Sequence, residues 1–301
     1  MGKLTIRKLA YKGWQNCISL SNGSIELITI TDVGPRIMSF GFVNQSNIFF
    51  EFEDQAGTVG GDEYKAYGGH RLWHSPEHMP RTYVPDNSPV QWEETENGIA
   101  LHQDIEHWTH IRKEMIVRMS SDANEVCVRH RITNTGAWPV ELAPWAVSML
   151  APGGVEYIPR SRKDTGLLPN QSLALWPYTR LNDQRIVLGE KYIIIKQDPS
   201  IGDPLKIGLP NPSGWGAYLN YGVLFVKRYT HHDDMPYPDF GSSYETYANK
   251  YFLESETLGP LVKLLPGASC DHVEDWSIHG NVSIPADEIE FERRILPLIC
   301  K

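Results

Sequence analysis

Glu125-Val-Cys-Val-Arg-His-Arg-Ile-Thr-Asn-Thr-Gly136 alternates apolar and polar residues and then turns. Val126, Val128, His130 and Ile132 fall on one side of an extended chain. Cys127, Arg129, Arg131 and Thr133 fall on the other. A period of two belongs to a strand whose faces meet different surroundings. Asn134-Thr-Gly136 supplies turn chemistry at its end, as Glu96-Asn-Gly98 does upstream.

The same texture extends both ways from this segment. Short runs rich in β-branched and aromatic residues predict strands over 24–30, 36–42, 98–107, 113–119, 140–149 and 191–197. Further strands are predicted over 205–209, 215–219, 223–228, 251–257 and 270–279. Only 285–296 reads as a helix: Pro285 suits its first turn, Asp287 and Glu288 its positive end, Arg293 and Arg294 its negative end. Two long irregular stretches, 54–87 and 231–243, are rich in Trp, Tyr, His and Pro, and loops of that length are usually functional or disordered. With no linker and no short repeat, the chain reads as one all-β domain spanning 1–301 with one short C-terminal helix.

Composition narrows the function classes. The net charge of −9 over 301 residues argues against a nucleic-acid partner, which calls for a basic patch. Cys17, Cys127, Cys270 and Cys300 are scattered and form neither a zinc ribbon nor a disulfide framework. No stretch approaches the roughly 20 apolar residues of a membrane span. The start lacks the apolar centre of a signal peptide, and Gly2 lacks the Ser or Thr that a myristoylation signal needs at position six. A cytoplasmic protein with reduced thiols is expected.

Several segments, in order along the chain, resemble the galactose-mutarotase-like superfamily, in particular its aldose-epimerase-like branch. They are Thr31-Asp-Val-Gly-Pro-Arg-Ile-Met-Ser-Phe40 and Tyr67-Gly-Gly-His-Arg-Leu-Trp-His-Ser-Pro-Glu77. Next comes the run from Thr133-Asn-Thr-Gly136 through Pro139-Val-Glu-Leu-Ala-Pro-Trp145 to Pro152-Gly-Gly154. Last is Leu253-Glu-Ser-Glu-Thr-Leu-Gly-Pro260 with Leu264-Leu-Pro-Gly267. The resemblance implies a large antiparallel supersandwich with a sugar-binding cleft on one concave sheet. It also exposes three departures. Tyr67 stands where mutarotases place the His of His-Gly-Gly, Trp145 where they place a second histidine, and Ala268 where a glutamate follows Pro-Gly.

Opening a pyranose needs one group to take the anomeric hydroxyl proton and another to protonate the ring oxygen, work suited to imidazole and carboxylate. The residues in place to replace the missing ones are His70, Glu254 and either His231 or His232. Substrate contacts are expected from Tyr67, Arg71, Trp73, His74, Trp145, Asp239 and Glu256. Glu254 and Glu256 share a face if their segment is a strand. Gly68-Gly69 before His70 signals a close backbone approach, to a ligand or to the protein itself. Each candidate also has an ordinary structural reading: loop anchoring for the histidines, arginine pairing for the glutamates, turn capping for Asp239. Trp73, Trp108, Trp145, Trp215 and Tyr237 lie in or beside these segments, and two or three of the five are expected to be structural.

His70, His74, Glu77 and His78 superficially offer a zinc set, but Pro76 breaks any helix that would align them, so no metal and no cofactor is expected. The expected partner is a small-molecule carbohydrate, with neither nucleic acid nor membrane. The leading function is an aldose 1-epimerase-like isomerase. A non-catalytic sugar-binding protein and a glycan lyase or hydrolase are the alternatives.

Overall fold

The computed structural model describes residues 4–166 and 168–300; Gly2 lies outside them. Two large antiparallel sheets pack face to face. The first has eleven strands. It runs from Thr5–Tyr11 through Trp14–Ser21, Ile25–Ile30, Arg36–Phe42 and His70–Ser75 to Val140–Leu150. From there it continues through Leu253–Leu258, Tyr244–Ala248 and Leu205–Leu209 to Ala174–Leu175, with Val262–Leu264 also pairing on Val140–Leu150. The second sheet has ten strands, among them Val223–Tyr229, Ser269–His279, Glu125–Asn134 and Ile111–Met119 side by side.

The opening segment behaves as its alternation demands. Val126, Val128, His130 and Ile132 are buried, while Arg129 is exposed and Cys127 and Arg131 are half-buried. Between the sheets, Phe40, Phe49, Phe225 and Trp276 form a mutual aromatic cluster with ring centroids 5.5–6.4 Å apart. At roughly 25 cal/mol per Å² of apolar surface removed from water, such large side chains dominate the attraction between the layers.

The C-terminal helix is Glu288–Arg294, capped where Asp287 accepts from the Glu290 amide, and a second short turn, Leu296–Ile299, follows it. Phe291 stacks on Tyr157 at 4.4 Å and closes the outer face of the ten-stranded sheet. The expected single helix is therefore two pieces, broken at Ile295 just before Leu296-Pro297.

The main correction to the sequence reading falls in 54–87. His70–Ser75 is no loop but a fully buried central strand between Arg36–Phe42 and Val140–Leu150. The close approach announced by Gly68-Gly69 is to the protein's own backbone. A Cβ on Gly68 would lie 2.3 Å from the Phe50 carbonyl oxygen, and one on Gly69 would lie 2.3 Å from that of Ile37.

Candidate functional site

Alternation along five adjacent strands of the eleven-stranded sheet builds its outer face. Register sets Trp73 opposite Trp145, and Arg71 opposite Val147. Val147 faces Glu256, and Met149 faces Glu254. Glu256 in turn faces Glu245, Glu254 faces Tyr247, and Tyr247 faces Lys206. A cleft of about 360 Å³ opens over this face, walled by Arg71, Trp73, Tyr83, Trp145, Tyr178, Lys206, Tyr247 and Glu254, with Glu77 also lining it.

The floor is a charged and aromatic lattice. Lys206 Nζ lies 2.9 Å from Glu256 Oε2 and 2.9 Å from Glu245 Oε2. Only the Glu256 contact is aligned as a hydrogen bond, and both Glu245 oxygens lack a hydrogen-bond donor. Burial and the neighbouring Glu256 push the Glu245 carboxyl well above the ordinary range, although Lys206 draws it down. Burial opposes the charge on Lys206, but the two carboxylates outweigh it and hold the ammonium well above its usual pKa. Its Nζ also sits 4.5 Å from the Trp145 ring centre and 4.8 Å from that of Trp176.

Arg71 lies over Trp73 at 3.7 Å, bonds the Tyr64 hydroxyl and reaches 3.8 Å from Glu254 Oε1. Glu254 keeps a 13 % exposed side chain. Burial and the adjacent Glu256 raise its pKa to about 7, against the lowering pull of Arg71 and Lys206. The arrangement joins aromatic walls, fixed cations and one carboxyl poised to gain or lose a proton near neutrality.

Of the sequence candidates, Arg71, Trp73, Trp145 and Glu254 converge in this cleft, with Glu256 fixed in its floor. His70 does not reach it: strand alternation turns His70 inward, and it is wholly buried between the sheets. His74 is turned inward for the same reason. Tyr67 is buried against Trp14, with Arg36 over its ring at 5.0 Å. His231 and His232 lie outside the cleft. His231 stacks on Tyr237 at 4.9 Å and bonds Ser243 Oγ at 2.8 Å, while His232 is exposed. Asp239 sits in a left-handed turn and receives a 3.3 Å bond from Ser75 Oγ. Trp108 is half exposed elsewhere, and Trp215 packs near Phe291.

His70 instead belongs to a buried polar chain between the sheets. His130 Nδ1 lies 3.0 Å from the His272 carbonyl oxygen, which only accepts, so that nitrogen carries the hydrogen. Its Nε2 then accepts from His70 Nε2 at 2.7 Å, and His70 Nδ1 accepts from Ser148 Oγ at 2.8 Å. Glu274 accepts from Trp276 Nε1 at 2.8 Å and pairs with Lys227 Nζ at 2.8 Å. Burial would raise Glu274, but Lys227, more than the neighbouring imidazoles, holds it well below the usual carboxylate range. Burial lowers His70 and His130, and takes His272 down to about 3.

His70, His130 and Glu274 are close enough to invite a metal reading. Nitrogens bound tetrahedrally to zinc stand about 3.3 Å apart, whereas these are at hydrogen-bond distance, and Lys227 already neutralises the carboxylate. The trio fits a proton-ordered network better than an ion.

Sequence reasoning missed Lys206, Tyr83, Tyr178 and Tyr247. A signal existed for two of them. Lys206 interrupts the apolar run Leu205-Lys-Ile-Gly-Leu209, and Tyr244-Glu-Thr-Tyr-Ala248 has the alternation of a strand. A lone lysine inside an apolar strand points to a buried partner.

No family model matches the sequence, and no curated protein matches it. Solved structures do share its architecture. A galactose mutarotase-like protein from Lactobacillus casei superposes with a TM-score of 0.58 at 11% identity, over 88% of this chain and 100% of that one. One from Clostridium acetobutylicum gives 0.54 at 12% identity, over 92% and 99%. A TPR-domain containing protein from Parabacteroides distasonis gives 0.59 at 12% identity; the match covers 97% of this chain and 57% of that longer one. The two antiparallel sheets, the cleft on the eleven-stranded one and these superpositions together give the chain the galactose-mutarotase-like fold.

Proposed function

We propose that this cleft holds a sugar ring and that Glu254 moves the proton in an aldose 1-epimerase-like interconversion of anomers. The observation that carries this reading is the Glu254 carboxyl, still reachable from solvent, held at about 7 beside Arg71 in an aromatic cleft. A proton-transfer group works best with a pKa near the operating pH. The apolar face of a pyranose lies on Trp73 or Trp145, and Arg71 donates to its hydroxyls.

In the reaction, a base removes the proton from the anomeric O1 as the bond from C1 to the ring oxygen breaks. An acid protonates the ring oxygen, the open aldehyde turns about C1–C2, and reclosure reverses both transfers. Glu254 serves as one partner. Glu77, which also lines the cleft and is bonded by the Tyr83 hydroxyl, is the candidate for the second. Lys206 is tied to Glu245 and Glu256 and serves the floor. The names of the L. casei and C. acetobutylicum proteins point the same way, as neighbours in fold.

One observation favours a second reading, a sugar-binding protein without chemistry: no imidazole lines the cleft among the described residues. Saturation-exchange NMR of anomers across a panel of neutral aldoses separates the two. Accelerated exchange that vanishes in Glu254→Gln supports the isomerase. Saturable binding with unchanged exchange supports the binding protein, and the absence of both removes the sugar reading.

A further inference from the structure

Behind the cleft, the strand His70–Ser75 turns His74 toward the other sheet and into a separate cavity of about 230 Å³. The volume far exceeds the ~30 Å³ share of one liquid water, so more than a single bridging water fits. Its lining divides sharply. Ile111, Val140 and Leu142 form an apolar side, Trp108 and Thr109 stand near them, and His74 and Arg81 supply the polar groups.

Those polar groups are left partly or wholly unpaired. His74 is 1 % exposed, and neither ring nitrogen has a hydrogen-bond partner. Burying such a group unpaired is costly, so an imidazole lining an open cavity calls for an occupant. The nearby charge is also unbalanced. Lys113 is matched by Glu106 at 2.6 Å. Arg81 pairs with no carboxylate among the described residues: its terminal nitrogen bonds the Pro76 carbonyl at 2.6 Å, and its buried Nε has no partner. Burial first, then the charges of Lys113 and Arg81, hold the imidazole neutral, with a pKa of about 3. It therefore offers one N–H donor and one acceptor rather than a second cation.

We propose that this cavity is a binding site for a small monocarboxylate, whose carboxylate is held by the Arg81 guanidinium and the His74 N–H and whose carbon chain lies against Ile111, Val140 and Leu142. One negative charge answers the unmatched Arg81 of this cavity. A dianion would leave excess charge beside Glu106, and a neutral polar molecule would leave Arg81 unanswered. The site is independent of the sugar cleft.

Butyrate, acetate and the neutral amide butyramide are the probes, added to the full-length protein while the His74 imidazole resonances are followed by NMR. Butyrate is expected to shift them saturably, and acetate more weakly for want of apolar contact. Arg81→Gln, on the half-buried rim, is expected to weaken butyrate by about tenfold or more, in line with losing a charge-assisted bond. A butyramide response equal to that of butyrate overturns the assignment. So does the absence of any saturable shift, or an undiminished butyrate response in Arg81→Gln.

Discussion

Trp145 donates its indole N–H to Glu256 at 2.8 Å, and the accepting oxygen is the one Lys206 approaches to 2.9 Å. One carboxylate thus ties an aromatic wall of the cleft to its buried cation. The floor is set before any ligand arrives, which reduces the ordering cost of binding.

Removing that cation tests the lattice. Lys206→Met leaves Glu245 and Glu256 buried together without an ammonium, and breaking a buried pair typically costs about 3–5 kcal/mol. Urea unfolding at pH 8 should show the loss, and acid should relieve part of it by protonating the carboxyls. A midpoint unchanged at pH 8 would mean the two acids already share protons and do not depend on the lysine.

Glu254 should leave a signature in both stability and activity. Its folded pKa of about 7 lies above the ordinary glutamate value of 4.5. Its contribution is therefore complete below the unfolded pKa and lost as pH rises through 7. Glu254→Gln should gain stability relative to the parent at pH 8 and not at pH 4. The same substitution should abolish an inflection near pH 7 in the anomer-exchange rate, and an inflection that survives assigns the titration to another group.

Acid should weaken the fold through the inner histidines. His70, His74, His130 and His272 are all depressed by burial. The unfolded chain therefore binds more protons than the folded one once pH falls below 6.5, and stability declines. Each histidine fully neutral in the fold and fully charged in the unfolded chain contributes a slope of about 1.4 kcal/mol per pH unit. Urea midpoints between pH 7 and 5 should fall with a slope corresponding to uptake of more than one proton. A flat profile would show that these imidazoles do not stay neutral in the fold.

Two glycines with the same backbone angle separate crowding from conformation. Gly69 has φ +68° and a carbonyl 2.3 Å from where a Cβ would sit; Gly60 has φ +69° and nothing within 4 Å. Gly60→Ala should cost about 1 kcal/mol for the left-handed backbone alone. Gly69→Ala should cost about 2–4 kcal/mol, measured by thermal unfolding. Equal costs would mean that the sheet yields at Gly69.

The strands were legible wherever alternation was clean, as at Val126–Ile132, and so was the shared face of Glu254 and Glu256; Trp73 and Trp145 were each singled out, but their pairing came only from register. His70–Ser75 was not. Its apolar, basic and imidazole residues alternate between two buried environments, so no exposed face marks the period. The histidines drew attention as reactive groups, yet the inward side of that strand holds His70 and His74 while the outward side holds Arg71 and Trp73. His130 was visible on the apolar side of its strand, but nothing local showed that a second imidazole would meet it across the sandwich. The partners of Lys206, Glu245 and Glu256, became apparent only through the register that sets Leu205–Leu209 beside the Tyr244–Ala248 and Leu253–Leu258 strands.

The two-sidedness of His70–Ser75 also limits how such a chain can diverge. Because successive residues serve opposite compartments, inserting or deleting one residue within the strand would exchange Arg71 and Trp73 with the inner histidines in a single step. Variants of this protein can therefore change the identities along the strand one at a time, while its length stays fixed and any gain or loss of residues is pushed into the loops at either end.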